Sequence, residues 1–290
     1  MRAVVGTVPV KDFPLTVGEV TLSGEVLRIN GETVPVNRGT PALLAAAAKA
    51  VEVAGAGKIT GFLVGDIGLG DGSRRLYDYL VRNLDRFDVE AMTFHYLQPD
   101  VDWHNRVLFA VESMPRKPLL IADAGFMYAA KMSGNARSYD LFTPDVGELA
   151  FLADEAAPHP FYTRGFILHD ENKVPDLIRR AYAHDNAARY LMVKGECDRL
   201  AEEAGVMETV DTPSVESMEA MGGTGDTLTG LLTALIGANG MSITEAAIAA
   251  ARINRVAGDS ANPTPASQVI ELVHQLPRAM ETVLGTCRHH

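Results

Sequence analysis

The run Met221-Gly222-Gly223-Thr224-Gly225-Asp226-Thr227 carries a carboxylate out of a glycine turn and into a helix start. Beyond Asp226 the apolar residues Leu228, Leu231, Leu232, Leu235 and Ile236 recur at the spacing of one α-helical face, and Gly237 and Gly240 supply a stop. The first N–H groups of such a helix lack carbonyl partners, and the positive end of the helix dipole adds to them, so the turn suits an anion. An aspartate beside an anion is repelled unless it takes a proton from a group reacting there. Phosphate held by backbone amides next to a carboxylate base is the layout of phosphoryl transfer to a hydroxyl. The plainer alternative is structural, since acidic residues suit any first turn and glycine turns precede many helices.

Other chemically able side chains sit at the expected ends of strands. Apolar runs predict strands at about 58–65, ending in Gly65-Asp66, at about 89–95, and at 118–123, ending in Asp123. A short strand at 139–142 runs into Thr143-Pro144, expected to start a helix with a capping hydroxyl and a proline at its first position. A strand at 190–193 ends in Lys194-Gly195. Helices are expected at about 41–54, 73–85 and 103–113, and from the capping-box spacing of Ser242 and Glu245 to about Gly258. Residues 1–36 read as β-rich, with a hairpin turning at Asn30-Gly31. Strands alternating with helices predict a mainly parallel sheet covered on both faces, in one domain over 1–290. Such sheets bind ligands at the carboxyl ends of their strands, so Asp123, Thr143, Lys194 and the 222–226 turn are expected on that edge. The irregular stretch 155–172, with Pro158, Pro160 and Gly165, is expected to form a surface loop over the site.

Composition limits the partners. With 290 residues, 47% hydrophobic and 22% charged, the chain reads as an ordinary globular protein near the upper size for one core. A net charge of −11 argues against nucleic acid or acidic membranes as partners, though not against a phosphate held locally by amides. The apolar stretch at 43–53 is interrupted by Lys49 and Glu52, so no membrane span is expected. Cys197 and Cys287 lack metal-ligand spacing and imply no disulfide framework, so a cytoplasmic location is expected. The final His289-His290 carries no weight in the reading.

In order along the chain, Gly39-Thr40-Pro41, Gly65-Asp66-Ile67-Gly68-Leu69-Gly70, Ala122-Asp123-Ala124-Gly125, Phe142-Thr143-Pro144-Asp145-Val146-Gly147-Glu148, Val193-Lys194-Gly195 and the 222–230 segment resemble the ribokinase-like superfamily. They are most similar to its ADP/ATP-dependent NAD(P)H-hydrate dehydratases, a carbohydrate-kinase-like family. The resemblance covers roughly 38–260 and is strongest at 222–230. It implies an α/β ribokinase-like fold using ADP or ATP with Mg²⁺. Asp226 would be the catalytic acid/base, with Gly222, Gly223, Thr224 and Gly225 around the transferring phosphate. Lys194 would lie near the nucleotide phosphates, and Glu148 would orient Mg²⁺ through water. Gly68, Asp123, Thr143 and Asp145 would lie on the side of a small hydroxylated substrate such as NAD(P)H hydrate. Each of these residues also has an ordinary reading: a solvated strand-end lysine for Lys194, an exposed helix acid for Glu148, a turn cap for Asp123.

The match has departures. The family usually has histidine after Thr-Pro where this chain has Asp145, which opens the question of a different substrate. The glycine-rich signature before the first helix is reduced to Gly39-Thr40-Pro41. The stretch 95–104 concentrates His95, Asp100, Asp102, His104 and the one tryptophan, Trp103. It reads as a substrate loop containing His95, or as structure in which Asp102 caps a helix and Trp103 packs inward. A small-molecule kinase is the alternative activity, and a non-catalytic nucleotide-binding regulator the alternative of another class. The Gly68-Leu69-Gly70-Asp71-Gly72 spacing does not match a dinucleotide-binding dehydrogenase. A homo-oligomer is compatible with all of these readings.

Overall fold

A computed structural model describes residues 1–155, 173–264 and 266–285. The expected loop over 155–172, apart from its first residue, lies outside them, as do Cys287 and the last two histidines. In chain order the strands and helices begin with β1 (Arg2–Val8), β2 (Thr16–Glu19), β3 (Thr21–Ser23), β4 (Val26–Ile29), β5 (Glu32–Pro35) and α1 (Thr40–Ala54). They continue through β6 (Ile59–Gly65), α2 (Asp71–Asn83), β7 (Ala91–His95), α3 (Val101–Glu112), β8 (Leu119–Ala122) and α4 (Gly125–Met132). Next come β9 (Leu141–Phe142), α5 (Val146–Ala153), α6 (Val174–Ala183), β10 (Tyr190–Val193), β11 (Asp198–Glu202) and β12 (Gly205–Val210). The chain closes with α7 (Ser217–Ala220), α8 (Thr224–Leu235), α9 (Ile243–Ala261) and α10 (Val269–Leu284).

The contacts divide into two compact units, one of residues 3–15 and 62–209, the other of residues 1–2, 16–61 and 210–290. In the first unit the sheet runs β12-β11-β10-β9-β8-β7-β1-β6. Strands β7 to β10 are parallel, in registers such as Phe94↔Ala122, Ile121↔Leu141 and Leu191↔Phe142. Every residue of β7 is buried, including Thr93 and His95, which is why these strands read as continuous apolar runs without alternation. The hairpin β10–β11 is antiparallel. At the carboxyl ends, Asp66 N–H bonds Val8 O and Thr7 Oγ1 bonds Tyr96 O, so the ends of β6, β1 and β7 lie side by side.

The second unit is built around α1 and α8. Gly39 N-caps α1 and Gly55 closes it in the left-handed conformation. The four consecutive alanines 45–48 are all buried, because α8 approaches at backbone distance. A Cβ on Gly230 would stand 2.1 Å from Leu43 O, closer than any side chain permits. Gly39 faces Asp226, Ala42 faces Gly223 and Leu43 faces Gly230, so the two helices run parallel with their N-termini together. Strands β3-β4-β5 form a separate antiparallel sheet. Its β4–β5 turn uses positive φ at both Asn30 (44°) and Gly31 (85°), as the Asn-Gly pair predicts. Within this unit, just beyond β2, Val20 N–H bonds Ile59 O at 2.9 Å.

Two helix starts differ from the sequence expectation. Thr143 and Pro144 precede α5, whose cap is Asp145: its carboxylate accepts Glu148 N–H, and the Glu148 carboxylate accepts Asp145 N–H. Asp145 wins because its Oδ1 reaches the third residue on, whereas Thr143 is wholly buried in the sheet edge, its N–H bonded to Ala122 O. Likewise Asp100 caps α3 by accepting Trp103 N–H at 3.0 Å, while Asp102 lies exposed on the first turn and pairs with Arg106.

Candidate active-site residues in the two units

In the unit that holds α8, Gly223 stands at the helix N-cap with φ 107°, a conformation that suits glycine. A Cβ there would press on Val269, Ala42 and the backbone of Arg38 at 3.2–3.3 Å. The N–H groups of Thr224, Gly225 and Asp226 follow in the first turn, where a helix supplies no carbonyl to them. The turn is held from behind: Asn254 donates to Thr224 O at 3.0 Å and accepts from Thr227 Oγ1 at 2.7 Å. Asp226, half-buried, accepts the N–H of Gly39 at Oδ2 over 2.6 Å. Gly222 is exposed, and the Arg38 side chain passes 3.5 Å from where its Cβ would be.

In the unit of the parallel strands, five of the expected residues gather at successive strand ends. Asp123 follows β8 and is 2% exposed, and the Lys194 ammonium, after β10, donates to both its oxygens at 3.0 and 2.9 Å. Lys194 reaches it because its own N–H bonds Pro144 O and it bridges to Asp145, extending the β9–β10 pairing past the strands. Buried His95 brings Nε2 to 3.9 Å from Asp123 Oδ2. Glu148 is half-buried within its capping box and accepts the Tyr128 hydroxyl at 3.2 Å. Burial, with the charges of Asp145 and Asp123, pushes the Glu148 carboxyl up to about 8 against the opposing pull of Lys194. Glu148 and Asp145 are tied to each other's backbone in the capping box and Asp123 is held by Lys194, so among the described residues these three carboxylates do not gather their oxygens around one point. Tyr128, seated edge-on against Phe151, is a contact that sequence patterning does not reveal, because an i to i+20 hydrogen bond leaves no periodic signal.

Gly68 has a structural occupation. The carboxylate of Asp66 accepts the N–H groups of Gly68, Leu69 and Gly70 at Oδ1, and Ser73 N–H and Oγ–H at Oδ2, all within 3.0 Å. Gly68 (φ 94°) and Gly70 (φ 82°) supply the left-handed turns this wrapping needs. Partial burial raises the Asp66 carboxyl, but the donors from Ser73, Gly70 and Gly68 together outweigh it and the net shift is downward. A lowered folded-state value means stability that is present above the unfolded carboxyl value and is lost as pH falls below that and through the folded-state one. Asp66→Asn is therefore expected to destabilise the protein by about 1–3 kcal/mol at pH 7 and by progressively less toward pH 3, read from urea midpoints at each pH.

The 95–104 stretch separates into two parts. His95 belongs to the Asp123 group. His104 is buried, bonded through Nε2 to the Tyr139 hydroxyl at 2.8 Å and through Nδ1 to Ser133 Oγ at 3.1 Å, and burial pushes it down to about 4. Trp103 stacks on Tyr77 at 6.2 Å and 7°. The histidine and tryptophan of this stretch therefore support α3 against α2 and α4. No helix among the described residues is long and apolar enough to cross a membrane.

Residues 99–278 match the family model of carbohydrate-kinase-like proteins described as NAD(P)H-hydrate dehydratase. The protein MJ1337 of Methanocaldococcus jannaschii is 42% identical over 221 residues, covering 76% of this chain and 90% of that one. Among solved structures, Bacillus subtilis YxkO superposes with TM-score 0.57 at 15% identity, over 97% of this chain and 92% of the other. A ribokinase-like superfamily protein of Enterococcus faecalis gives TM-score 0.56 at 15% identity, over 97% and 86%. Staphylococcus aureus pyridoxal kinase, solved with AMP-PCP and pyridoxal, gives 0.51 at 14% identity, over 88% and 86%. The fold is ribokinase-like, and with a family match over more than half its length the chain belongs to the carbohydrate-kinase-like NAD(P)H-hydrate dehydratase family.

Proposed function

We propose that this protein is a nucleotide-dependent enzyme that activates the hydroxyl of a small substrate by phosphoryl transfer, acting as an NAD(P)H-hydrate dehydratase. The observation that carries the reading is Asp226, a carboxylate in the first turn of a glycine-started helix whose oxygen is fixed on Gly39 N–H at 2.6 Å. In this reading Asp226 removes the proton as the substrate oxygen forms a bond to the terminal phosphorus of ADP or ATP and the bond to the leaving nucleotide breaks. The amides of Gly223, Thr224 and Gly225, in the turn that Gly222 opens, stabilise the equatorial oxygens. In the hydrate branch the C–O bond of the new ester then breaks, inorganic phosphate leaves with the bonding pair and the hydroxyl oxygen, and a proton is lost from the neighbouring ring carbon, so the elements of water are eliminated from the ring and NAD(P)H is restored. Lys194 serves the nucleotide phosphates, and Asp123, Thr143, Asp145 and His95 serve the substrate, while Gly68 is committed to Asp66.

Glu148 would orient Mg²⁺ through water. When bound, the ion neutralises phosphate charge. Asp145 replaces the family's usual histidine with a capping carboxylate, an observation that favours the kinase as a second reading with a different alcohol. The pyridoxal kinase relative has the same fold and binds a nucleotide analogue together with an alcohol-bearing ligand.

The deciding assay incubates the purified protein with NADH hydrate, Mg²⁺ and either ADP or ATP. Return of NADH absorbance with release of phosphate is the expected result. A stable phosphorylated alcohol identifies the kinase instead. Nucleotide binding without consumption by any hydroxylated substrate sinks both and leaves a regulator.

A further inference from the structure

The carboxylate read above as the base is aimed by the beginning of a different helix. Gly39 lies 187 residues before Asp226 in sequence, and its backbone N–H donates to Asp226 Oδ2 at 2.6 Å. Gly39 O accepts the N–H groups of Ala42 and Leu43, which makes it the cap of α1, so its own N–H lies outside the helical ladder and can serve another group. The backbone at Gly39 has φ 71° and ψ −148°, a region that side chains with a Cβ avoid. That conformation turns the N–H toward α8. The helices pack closely beside the contact: a Cβ on Gly230 would stand 2.1 Å from Leu43 O, and one on Gly223, about two turns earlier, 3.3 Å from the Ala42 Cβ.

We propose that Gly39 is a positioning residue for the acid/base Asp226: its amide fixes one carboxylate oxygen, and so sets the direction in which the group meets the substrate hydroxyl. This rests on the reading of Asp226 as the base. It also gives the reduced Gly39-Thr40-Pro41 signature a task within the site. Proline in the first turn of α1 and glycine at its cap together hold a donor in a fixed place, while the phosphate-binding amides belong to α8.

The test removes the N–H without adding a side chain, by a backbone ester at residue 39 introduced with glycolic acid, alongside Gly39→Ala. Rates are followed against pH with NADH hydrate and ATP, and ADP affinity is measured by calorimetry. In the ester variant kcat is expected to fall about tenfold or more, and the acid limb of the profile to rise by about one pH unit, because the lost bond favoured the ionised carboxylate. ADP affinity is expected to stay within about twofold, since ADP contacts other amides. A folded ester variant with an unmoved acid limb and unchanged kcat overturns the proposal. A uniform loss of rate with no displacement of the limb also overturns it, because that is what structural damage alone produces. If the unmodified protein turns over no substrate, the reading of the function fails separately. Carboxyl-carbon NMR titration of Asp226, assigned with Asp226→Asn, then decides the positioning. A higher midpoint in the ester variant supports the Gly39 contact, and an unchanged one rejects it.

Discussion

Asp226→Asn is expected to lower nucleotide-dependent turnover by about 10²–10⁴-fold while leaving ADP or ATP binding in place. The substitution is nearly isosteric, and an amide oxygen can still accept the Gly39 N–H, so the junction of α1 and α8 keeps its shape. What disappears is the capacity to take a proton at neutral pH. Two smaller effects oppose each other. Loss of a negative charge in the first turn of α8 costs about 0.3–1 kcal/mol of helix stabilisation, well below the catalytic effect. Loss of the same charge also relieves repulsion toward phosphate, so nucleotide affinity is expected to hold or rise. The measurement is a pair: product formation for kcat, calorimetry for the nucleotide Kd. Full turnover in the variant would exclude Asp226 as the base. A collapse of nucleotide binding would instead mark it as part of the binding surface. A regulator that only binds nucleotide has no need of this carboxylate, so the variant separates that reading as well.

Much of this architecture was legible because its parts are local. Buried parallel strands read as apolar runs, the α8 face follows a helical period, and Asn30-Gly31 specifies its turn through backbone angles. Strand patterning and family motifs put Asp123 and Lys194 at strand ends and Glu148 in the first turn of a helix without any distance being known. Contacts between distant segments were less accessible. The hydrogen bond from Gly39 to Asp226 depends on two parallel helices packed through Gly230, and no spacing in the chain announces that packing. The caps at Asp145 and Asp100 were each displaced by two residues from those expected, because several residues near each helix start can cap and only backbone geometry selects among them. Helix α10 was discoverable: Leu272, Leu276, Ala279 and Met280 are all buried at helical spacing, behind a Gln268–Glu271 capping box. The hairpin β11–β12 was harder, since Val206 and Met207 are both exposed, so the strand does not alternate cleanly, and its pairing to β10 is a tertiary choice.

Asp123→Asn should cost more stability than any other single change at the parallel-strand edge, about 3–5 kcal/mol. Asp123 is 2% exposed and the Lys194 side chain 11%, so their pairing replaces water for both groups. Asparagine keeps one oxygen for Ala124 N–H, which bonds Asp123 Oδ1 at 2.8 Å, but offers no charge to the ammonium. The cost is therefore mainly that of stranding Lys194, rather than of losing one hydrogen bond. Lys194→Met tests this from the other side. It leaves a buried carboxylate with the Ala124 donor and His95 beside it, and is expected to be the milder of the two single changes. The double variant, Asp123→Asn with Lys194→Met, removes both charges and is expected to recover a large part of the loss, since a buried pair exchanged for uncharged groups is often close to neutral. Urea unfolding of all four proteins closes the cycle. Additive losses would show that the pair is not coupled. The same proteins divide structure from function at Lys194. If the ammonium also serves nucleotide phosphates, ADP binding weakens in both variants that lack it, at a salt-dependent margin, and survives in Asp123→Asn at temperatures where that variant is folded. Equal ADP affinity in all four would confine Lys194 to holding Asp123 in place.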